Sequence, residues 1–275
     1  MKLRARKVSA AIATVLTLSL AATACGGSDS GDGGGKITIG IKFDQPGLGL
    51  KTQDGKYTGF DVDVATYVAK ELGYEAKDIE WKQSISAQRE TMLANGDVKL
   101  IVATYSITDK RKAKVDFAGP YFIARQDLLV RKDETGITKA EDLNNAKLCS
   151  VTGSTSAQNI KEKLAPKANL QPLGGYSECL TGLENKSVDA LTTDDSILAG
   201  YASQAEHQGK FKLAGLKLSE EKYGIGIKKG DTELKGKINK ALEKMKSDGS
   251  WDKFVEANFG KSGYKYEPAP AIDAS

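Results

Sequence analysis

The chain has 275 residues, and its 40 lysines and arginines against 36 aspartates and glutamates give a net charge of +4. Four of the cations stand among the first seven residues and the two signs are mixed elsewhere, so the composition excludes a basic stripe of the kind that binds nucleic acid. The single histidine, His207, and the absence of paired-cysteine spacing argue against a metal site, and we expect no cofactor.

The N-terminus predicts an export signal followed by a membrane anchor. Residues 1–24 combine the four cations, a largely apolar run and the small residues Ala22-Thr23-Ala24 ahead of Cys25. This arrangement resembles a bacterial lipoprotein cleavage site with Cys25 as the lipidated first residue, and the signal peptide of a soluble secreted protein is the alternative. Residues 25–35 are almost entirely Gly, Ser and Asp, which predicts a flexible tether. We therefore expect an extracytoplasmic protein held at the cell membrane by lipid.

Beyond residue 35, short β-rich runs alternate with amphipathic helices, a pattern typical of α/β proteins with parallel strands and helical crossovers. The first half predicts strands over 36–41, 79–82 and 98–103 and helices over 59–72 and 86–94. Gly73 ends the first helix and Asn95-Gly96 ends the second.

A polar segment after the third strand carries the strongest functional signal. Thr108 is a good N-cap, and Arg111 falls three residues later, in the first helical turn, where amide groups are still unpaired. A cation is mildly unfavourable at the positive end of a helix, so this arginine indicates that an anion binds there through two parallel hydrogen bonds. Because Lys110, Lys112 and Lys114 surround it, a solvated surface arginine is the equal alternative.

The second half repeats the same alternation after a long extended run over 121–130. It predicts strands over 147–151 and 188–192, an extended run over 223–227, and helices over 157–164, 178–183, 196–203, 232–247 and 251–257. This order predicts two lobes joined by two strands that cross from one lobe to the other, within the extended runs over 121–130 and 223–227. We expect lobe 1 to comprise 36–125 and 224–260 and lobe 2 to comprise 126–223, with 261–275 as a polar tail that shows no packing signal.

Two cysteines remain once Cys25 is set aside. Cys149 and Cys179 form an even pair in an exported chain, where oxidation is the default, so we predict a disulfide; two buried free thiols are the alternative.

Five segments occur in a characteristic order: Gly59–Ala65, Arg89–Asp97, Ser106–Arg111, Phe117–Tyr121 and Val188–Ala190. Together they resemble the amino-acid-binding proteins of bacterial ABC importers, family 3 of the extracellular solute-binding proteins, over essentially all of 36–260. The resemblance implies a bilobed, type II periplasmic-binding-protein-like fold. It also implies a monomer that clamps an amino acid between its lobes and works with an ABC permease and its ATPase subunits.

The resemblance also implies which residues hold the backbone part of the ligand. Arg111 would pair with the α-carboxylate, assisted by Thr104 and Ser106 and, from the second lobe, by Ser154 and Thr155. A helix cap alone is the alternative for those last two hydroxyls. Asp194 would accept the α-ammonium group, with Asp195 beside it as the alternative acceptor or as the cap of the next helix.

Lys42, Ser86 and Arg89 resemble the distal-carboxylate pocket of glutamate- and aspartate-binding members, so the resemblance implies L-glutamate as ligand, with aspartate or glutamine second. A salt bridge within its own lobe is the alternative for Arg89. Where the family often carries an aromatic residue over the ligand, this chain has Gly47-Leu48-Gly49, and Phe43 is the candidate substitute. An enzyme such as a dehydratase can share the fold, but these residues suit a zwitterion, and we expect no catalytic residue.

Overall fold

The computed structural model of the protein describes residues 35–273. The expected export signal, the lipidation at Cys25 and almost the whole of the expected tether lie outside the described residues and stay predictions. Within the described residues, no helix is both long enough and apolar enough to cross a membrane.

The described residues form twelve strands and eight α-helices. The strands are β1 (Ile37–Ile41), β2 (Asp44–Gln45), β3 (Gly49–Lys51), β4 (Tyr57–Thr58), β5 (Ile79–Gln83), β6 (Leu100–Ile101), β7 (Val115–Arg131), β8 (Lys147–Val151), β9 (Asn169–Leu173), β10 (Ala190–Asp194), β11 (Phe211–Leu213) and β12 (Glu220–Lys228). The helices are α1 (Phe60–Glu71), α2 (Arg89–Asn95), α3 (Asp109–Lys112), α4 (Thr155–Asn159), α5 (Tyr176–Glu184), α6 (Asp195–Ala202), α7 (Thr232–Ser247) and α8 (Ser250–Phe259).

Helices α1 and α7 show how the sequence produces these elements. The apolar residues of α7 recur at helical spacing and are buried, while Asp231 caps the helix by accepting from the Leu234 amide at 3.1 Å. Gly59 precedes α1 at φ +123°, and a Cβ there would lie 2.1 Å from the Leu48 carbonyl oxygen, so only glycine fits. The predicted bounds of α7 are confirmed, and those of α1 differ by a residue at each end.

A nine-stranded mixed sheet contains most of the strands, in the order β5-β1-β6-β12-β7-β10-β8-β9, with β11 also paired to β7. The pairs β1–β5, β1–β6, β8–β10 and β8–β9 are parallel, whereas β7 and β12 pair antiparallel with their neighbours. The 17-residue strand β7 pairs with β12 over its first part and with β10 from Gln126 onward. The long strands β7 and β12 therefore connect the two groups of parallel strands, as the predicted crossings require, while the lobe boundaries themselves stay a prediction.

Several predicted bounds were wrong. The strand expected over 98–103 is reduced to β6, although the Lys99 and Val102 amides still bond to β1 carbonyl oxygens. The helix expected over 157–164 begins at Thr155 and ends in a π-helical turn, Ile160–Leu164. The sheet β2-β3-β4 and the strand β11 were missed because each of these strands has only two or three residues. Strand β9 was missed because its sequence does not alternate regularly and contains Pro172, which is tolerated here at the sheet edge.

The disulfide between Cys149 in β8 and Cys179 in α5 is confirmed, with sulfur atoms 2.05 Å apart. The C-terminal segment packs onto the body, which its sequence did not indicate. Tyr264 donates to Asp195 Oδ1 at 2.8 Å, Glu267 pairs with Arg125 at 2.7 Å, and Ile272 packs against the main core.

Candidate ligand-binding site

The polar residues predicted to form the site follow the ends of strands β1, β5, β6, β8 and β10, and the fold buries nearly all of them. Thr155 is half-buried, and the others are between 2% and 7% exposed: Lys42, Ser86, Arg89, Thr104, Ser106, Arg111, Ser154 and Asp194. Burying this many polar groups without partners would be costly. The contacts of each residue therefore indicate what the site can bind.

Arg111 is only 7% exposed, so it is not a solvated surface arginine. Thr108 caps α3 by accepting from the Arg111 amide at 3.3 Å. The guanidinium donates to the Ser106 carbonyl oxygen at 2.7 Å and to the Gly153 carbonyl oxygen at 3.1 Å, and its Nε lies 3.6 Å from Glu90. Arg111 therefore connects the segment after β6 to the segment after β8.

The guanidinium groups of Arg89 and Arg111 both lie over the ring of Tyr105. The guanidinium carbons of Arg89 and Arg111 lie 4.0 Å and 5.0 Å from the centre of the Tyr105 ring, whose hydroxyl donates to Glu90 at 2.8 Å. Sequence reasoning missed Tyr105 and Glu90 as supporting residues. Tyr105 lies between two residues assigned to the site, Thr104 and Ser106, and that position was the available signal.

Arg89 has no carboxylate within 4 Å among the described residues, so the salt bridge proposed as its alternative does not form there. It donates to the Ala103 carbonyl oxygen at 3.0 Å, and its Nε has no hydrogen-bond partner within 35–273. Burial, followed by the charge of Arg111, lowers the pKa of Arg89 to about 10. Its environment therefore favours the approach of an anion.

Lys42 lies beside Arg89 in the same buried group. Its ammonium donates to Ser86 Oγ at 2.9 Å. Burial, followed by the charge of Arg89, lowers the pKa of Lys42 to about 7. An anion placed between these two cations would restore the charge of Lys42 and relieve their mutual repulsion.

Asp194 and Asp195 occupy different environments. Asp194 accepts from the Tyr223 hydroxyl at 2.6 Å, and burial, followed by the charge of Glu221, raises its pKa well above the ordinary value. Asp195 Oδ1 accepts from the Arg125 amide, the Ser196 amide and the Tyr264 hydroxyl. Oδ1 of Asp195 therefore accepts from three protein donors, whereas the Asp194 carboxylate accepts from the hydroxyls of Tyr223 and, at 3.5 Å, Ser156.

The hydroxyl residues divide between structural and site contacts. Ser154 caps α4 by accepting from the Ala157 amide at 3.0 Å, so the helix-cap alternative accounts for its side chain. Thr155 Oγ1 lies 3.5 Å from Ser106 Oγ. This contact joins the two walls of the site, which are the segments that follow β6 and β8. Thr104 has a left-handed φ of +46°. Its backbone amide donates a hydrogen bond to Asp61 Oδ2 at 2.8 Å, which holds this conformation. Strain of this kind in a non-glycine residue is typical of ligand sites.

A cavity of about 500 Å³ opens beside Arg111 and is bordered by Ser86, Gly153 and Ser154. Phe43, the candidate cover for the ligand, lines a second cavity together with Lys42, and its ring centre lies 5.2 Å from that of Tyr57. Tyr176, at the start of α5, is a buried aromatic residue, and burial, followed by the charge of Asp194, raises its pKa. The described residues contain no cluster of His, Cys, Asp and Glu that could hold a metal ion.

Comparison with known proteins identifies a consistent set of relatives. The family described as bacterial extracellular solute-binding proteins, family 3, matches residues 37–261. The glutamate-binding protein GluB of Corynebacterium efficiens is 45% identical over 98% of this chain and 96% of its own length. The ABC transporter glutamine-binding protein GlnH of Bacillus subtilis is 42% identical over 85% of this chain and 83% of its own.

Among solved structures, an ancestral arginine-binding protein bound to glutamine aligns with a TM-score of 0.76 and 38% sequence identity, covering 82% of this chain and 98% of that one. The structural neighbours are type II periplasmic amino-acid-binding proteins, which confirms the expected fold class.

Proposed function

Because the chain belongs to the bacterial extracellular solute-binding proteins of family 3, we propose that it captures L-glutamate and delivers it to an ABC permease and its ATPase subunits. One observation carries the choice of ligand. Lys42 and Arg89 are buried side by side with no carboxylate within 4 Å among the described residues. A neutral or basic amino acid would leave both cations unpaired in a closed site, which is costly, whereas a γ-carboxylate pairs with both.

The α-amino acid part of the ligand would lie on the other side of the site. Arg111 binds the α-carboxylate, together with Thr104, Ser106, Ser154 and Thr155. Asp194 accepts the α-ammonium group, which lowers its raised pKa by supplying a positive charge. These contacts are common to every α-amino acid, so they set affinity without setting specificity.

The similar proteins support this proposal and also define its rival. One relative is named for glutamate and another, almost as similar, for glutamine. A glutamine binder is therefore the second candidate, with aspartate as a further acidic ligand. The two buried cations favour the acid, because the amide of glutamine needs no counter-charge.

We propose no catalytic role. The relatives reported above are named as binding proteins, and the site residues are suited to holding a zwitterion. His207 lies outside the site, half-buried, with Nδ1 3.2 Å from Glu184. We further propose that the protein acts as a monomer, anchored outside the cytoplasm by lipid on Cys25.

The test is calorimetric titration of the wild type and Lys42→Met with a panel of amino acids. Replacing Lys42 should weaken glutamate at least tenfold more than glutamine, about 1.4 kcal/mol of lost discrimination. Lys51→Met, which removes an exposed lysine from the nearby strand β3, is the matched control and should leave the ratio unchanged. A wild type that prefers a neutral or basic amino acid would contradict the proposal.

A further inference from the structure

The motif Gly59–Ala65 contains a buried carboxylate that the proposed ligand contacts do not use. Asp61 stands in the first turn of α1 and is 0% exposed. The amides of Phe60 and Asp61 donate to the carbonyl oxygens of Gly47 and Leu48, both at 3.0 Å, so backbone contacts fix the start of the helix. Burying a carboxylate completely is costly unless it has partners. The partners of Asp61 should therefore explain why an acid stands here.

Both carboxylate oxygens of Asp61 accept hydrogen bonds from buried residues. Oδ2 accepts from the backbone amide of Thr104 at 2.8 Å, and Oδ1 accepts from the Tyr121 hydroxyl at 2.7 Å. Burial raises the pKa of Asp61 to about 6, and the hydrogen bonds from Tyr121 and Thr104 act in the opposite sense. The carboxylate thus joins α1 to the segment after β6, which carries Thr104 and Ser106.

Thr104 has a backbone conformation that threonine rarely adopts, with a φ of +46°. A left-handed φ brings the Cβ atom close to the following carbonyl oxygen, which is unfavourable for a β-branched residue. The neighbouring carbonyl groups hold the two arginines of the site: that of Ala103 accepts from Arg89 at 3.0 Å, and that of Ser106 accepts from Arg111 at 2.7 Å. A change of conformation at Thr104 would therefore displace the backbone that positions both guanidinium groups.

We propose that Asp61 is a positioning residue for ligand binding: by holding Thr104 in the left-handed conformation, it keeps segment 103–106 arranged for the α-amino acid part of the ligand before the ligand binds. This inference rests on the proposed function and extends it to a residue outside the assigned ligand contacts. Without the carboxylate, the segment relaxes in the ligand-free protein, and binding has to restore it. Because the α-amino acid part is common to both ligands, the loss falls equally on glutamate and glutamine.

The test compares Asp61→Ala with Asp61→Asn. The asparagine oxygen can still accept from the Thr104 amide, and its NH₂ group can donate to the Tyr121 hydroxyl oxygen. Calorimetric titration should show that Asp61→Ala weakens glutamate and glutamine each about tenfold, whereas Asp61→Asn stays within about threefold of the wild type. Asp63→Ala is the matched control and should bind as the wild type does, because Asp63 stands in the same turn and accepts from Asn258 instead.

A glycine at position 104 separates positioning from a general effect on the fold. Glycine adopts a left-handed φ without the steric cost that threonine has. In a Thr104→Gly background, Asp61→Ala should therefore weaken binding only about threefold or less, measured against Thr104→Gly alone. A residue that only supports the fold would lower the thermal midpoint in both backgrounds without this difference in affinity.

Hydrogen exchange of the wild type provides a measurement that does not depend on how well Asp61→Ala folds. The Thr104 amide should be protected from exchange in the ligand-free protein, because its hydrogen bond to Asp61 is already formed. A Thr104 amide that becomes protected only after an amino acid is added would show that the segment is not arranged in advance, and the inference would be wrong.

The outcomes separate this inference from the proposed function. If Asp61→Asn weakens binding as much as Asp61→Ala, the charge of Asp61 acts and not its bond to Thr104, so the inference is wrong. It is also wrong if the loss is equally large in the Thr104→Gly background, if it is restricted to glutamate, or if Asp61→Ala binds both ligands as the wild type does. The proposed function stands in each of these cases, whereas a wild type that binds no amino acid overturns it.

Discussion

At the scale of single residues, the site combines groups whose charge states depend on one another. Lys42 faces Arg89, Arg111, Asp44 and Asp61, and burial dominates its environment. Its pKa lies below the ordinary value of 10.5, at about 7, so the charged form destabilises the ligand-free fold below about pH 7. That cost disappears as the pH rises from about 7 towards the ordinary value. A bound γ-carboxylate reverses the effect, because it favours the charged ammonium.

Glutamate binding should therefore take up a proton at Lys42. At about pH 8 the ligand-free lysine is mostly neutral, so glutamate should take up close to one proton more than glutamine, and the difference should vanish below about pH 6. Glutamine is the internal control, because any proton that Asp194 releases is common to both ligands. Calorimetry in two buffers of different ionisation enthalpy measures the difference.

Lys42→Met should abolish that difference at every pH. If the difference persists in this variant, another group titrates with the ligand and the assignment of Lys42 is wrong.

At the scale of secondary-structure elements, the disulfide holds a site-bearing strand and a neighbouring helix together. Cys149 lies in β8, which leads to Gly153 and Ser154, and Cys179 lies in α5, one turn after Tyr176. The Cys179 sulfur also lies 3.6 Å from the Ser150 carbonyl oxygen. The bridge therefore fixes the start of α5 relative to the wall that contacts Arg111.

Replacing both cysteines by serine should lower the free energy of unfolding by about 3 to 4 kcal/mol, because the bridge closes a loop whose ends are 30 residues apart. Denaturant unfolding followed by circular dichroism measures this loss. A reductant should destabilise the wild type by a similar amount and leave the double variant unchanged. Equal stability of the oxidised wild type and the double variant would show that packing alone positions α5.

At the scale of the whole described structure, residues far apart in the chain contact one another next to the segment that carries Lys42. Asp44 accepts from Ser177, and its carbonyl oxygen accepts from the Tyr201 hydroxyl. A Cβ on Gly200 would lie 2.1 Å from the Pro46 carbonyl oxygen, so the backbones approach closely there as well. These contacts join the lobes predicted from the sequence without touching the residues assigned to the ligand.

Asp44→Ala should therefore weaken glutamate and glutamine by the same factor, roughly three- to tenfold, because it removes hydrogen bonds of the closed form common to both complexes. Calorimetry gives the factor, and small-angle scattering should show a more expanded ligand-free protein. Asp133→Ala, at an exposed position, is the control. A selective loss of glutamate binding would mean that Asp44 acts on Lys42 and not on closure.

The sequence by itself determined the elements whose signals are local. Helix α7 follows from apolar spacing, α3 from Thr108, and the disulfide from an even cysteine pair in an exported chain. The resemblance of the sequence to a family also identified the candidate site residues, nearly all of which the structure buries. Periodicity and capping depend on neighbours within a few residues, so they can be predicted without knowing the fold.

Only the tertiary structure decided which side chains meet. It places the ring of Tyr105 beneath both arginines, and it gives Asp194 and Asp195 different hydrogen-bond partners. It also packs the C-terminal segment, whose composition carries no such signal. These outcomes depend on contacts such as that between Asp44 and Ser177, which are 133 residues apart. Contacts at that separation form only when the whole chain has folded, and no local pattern encodes them.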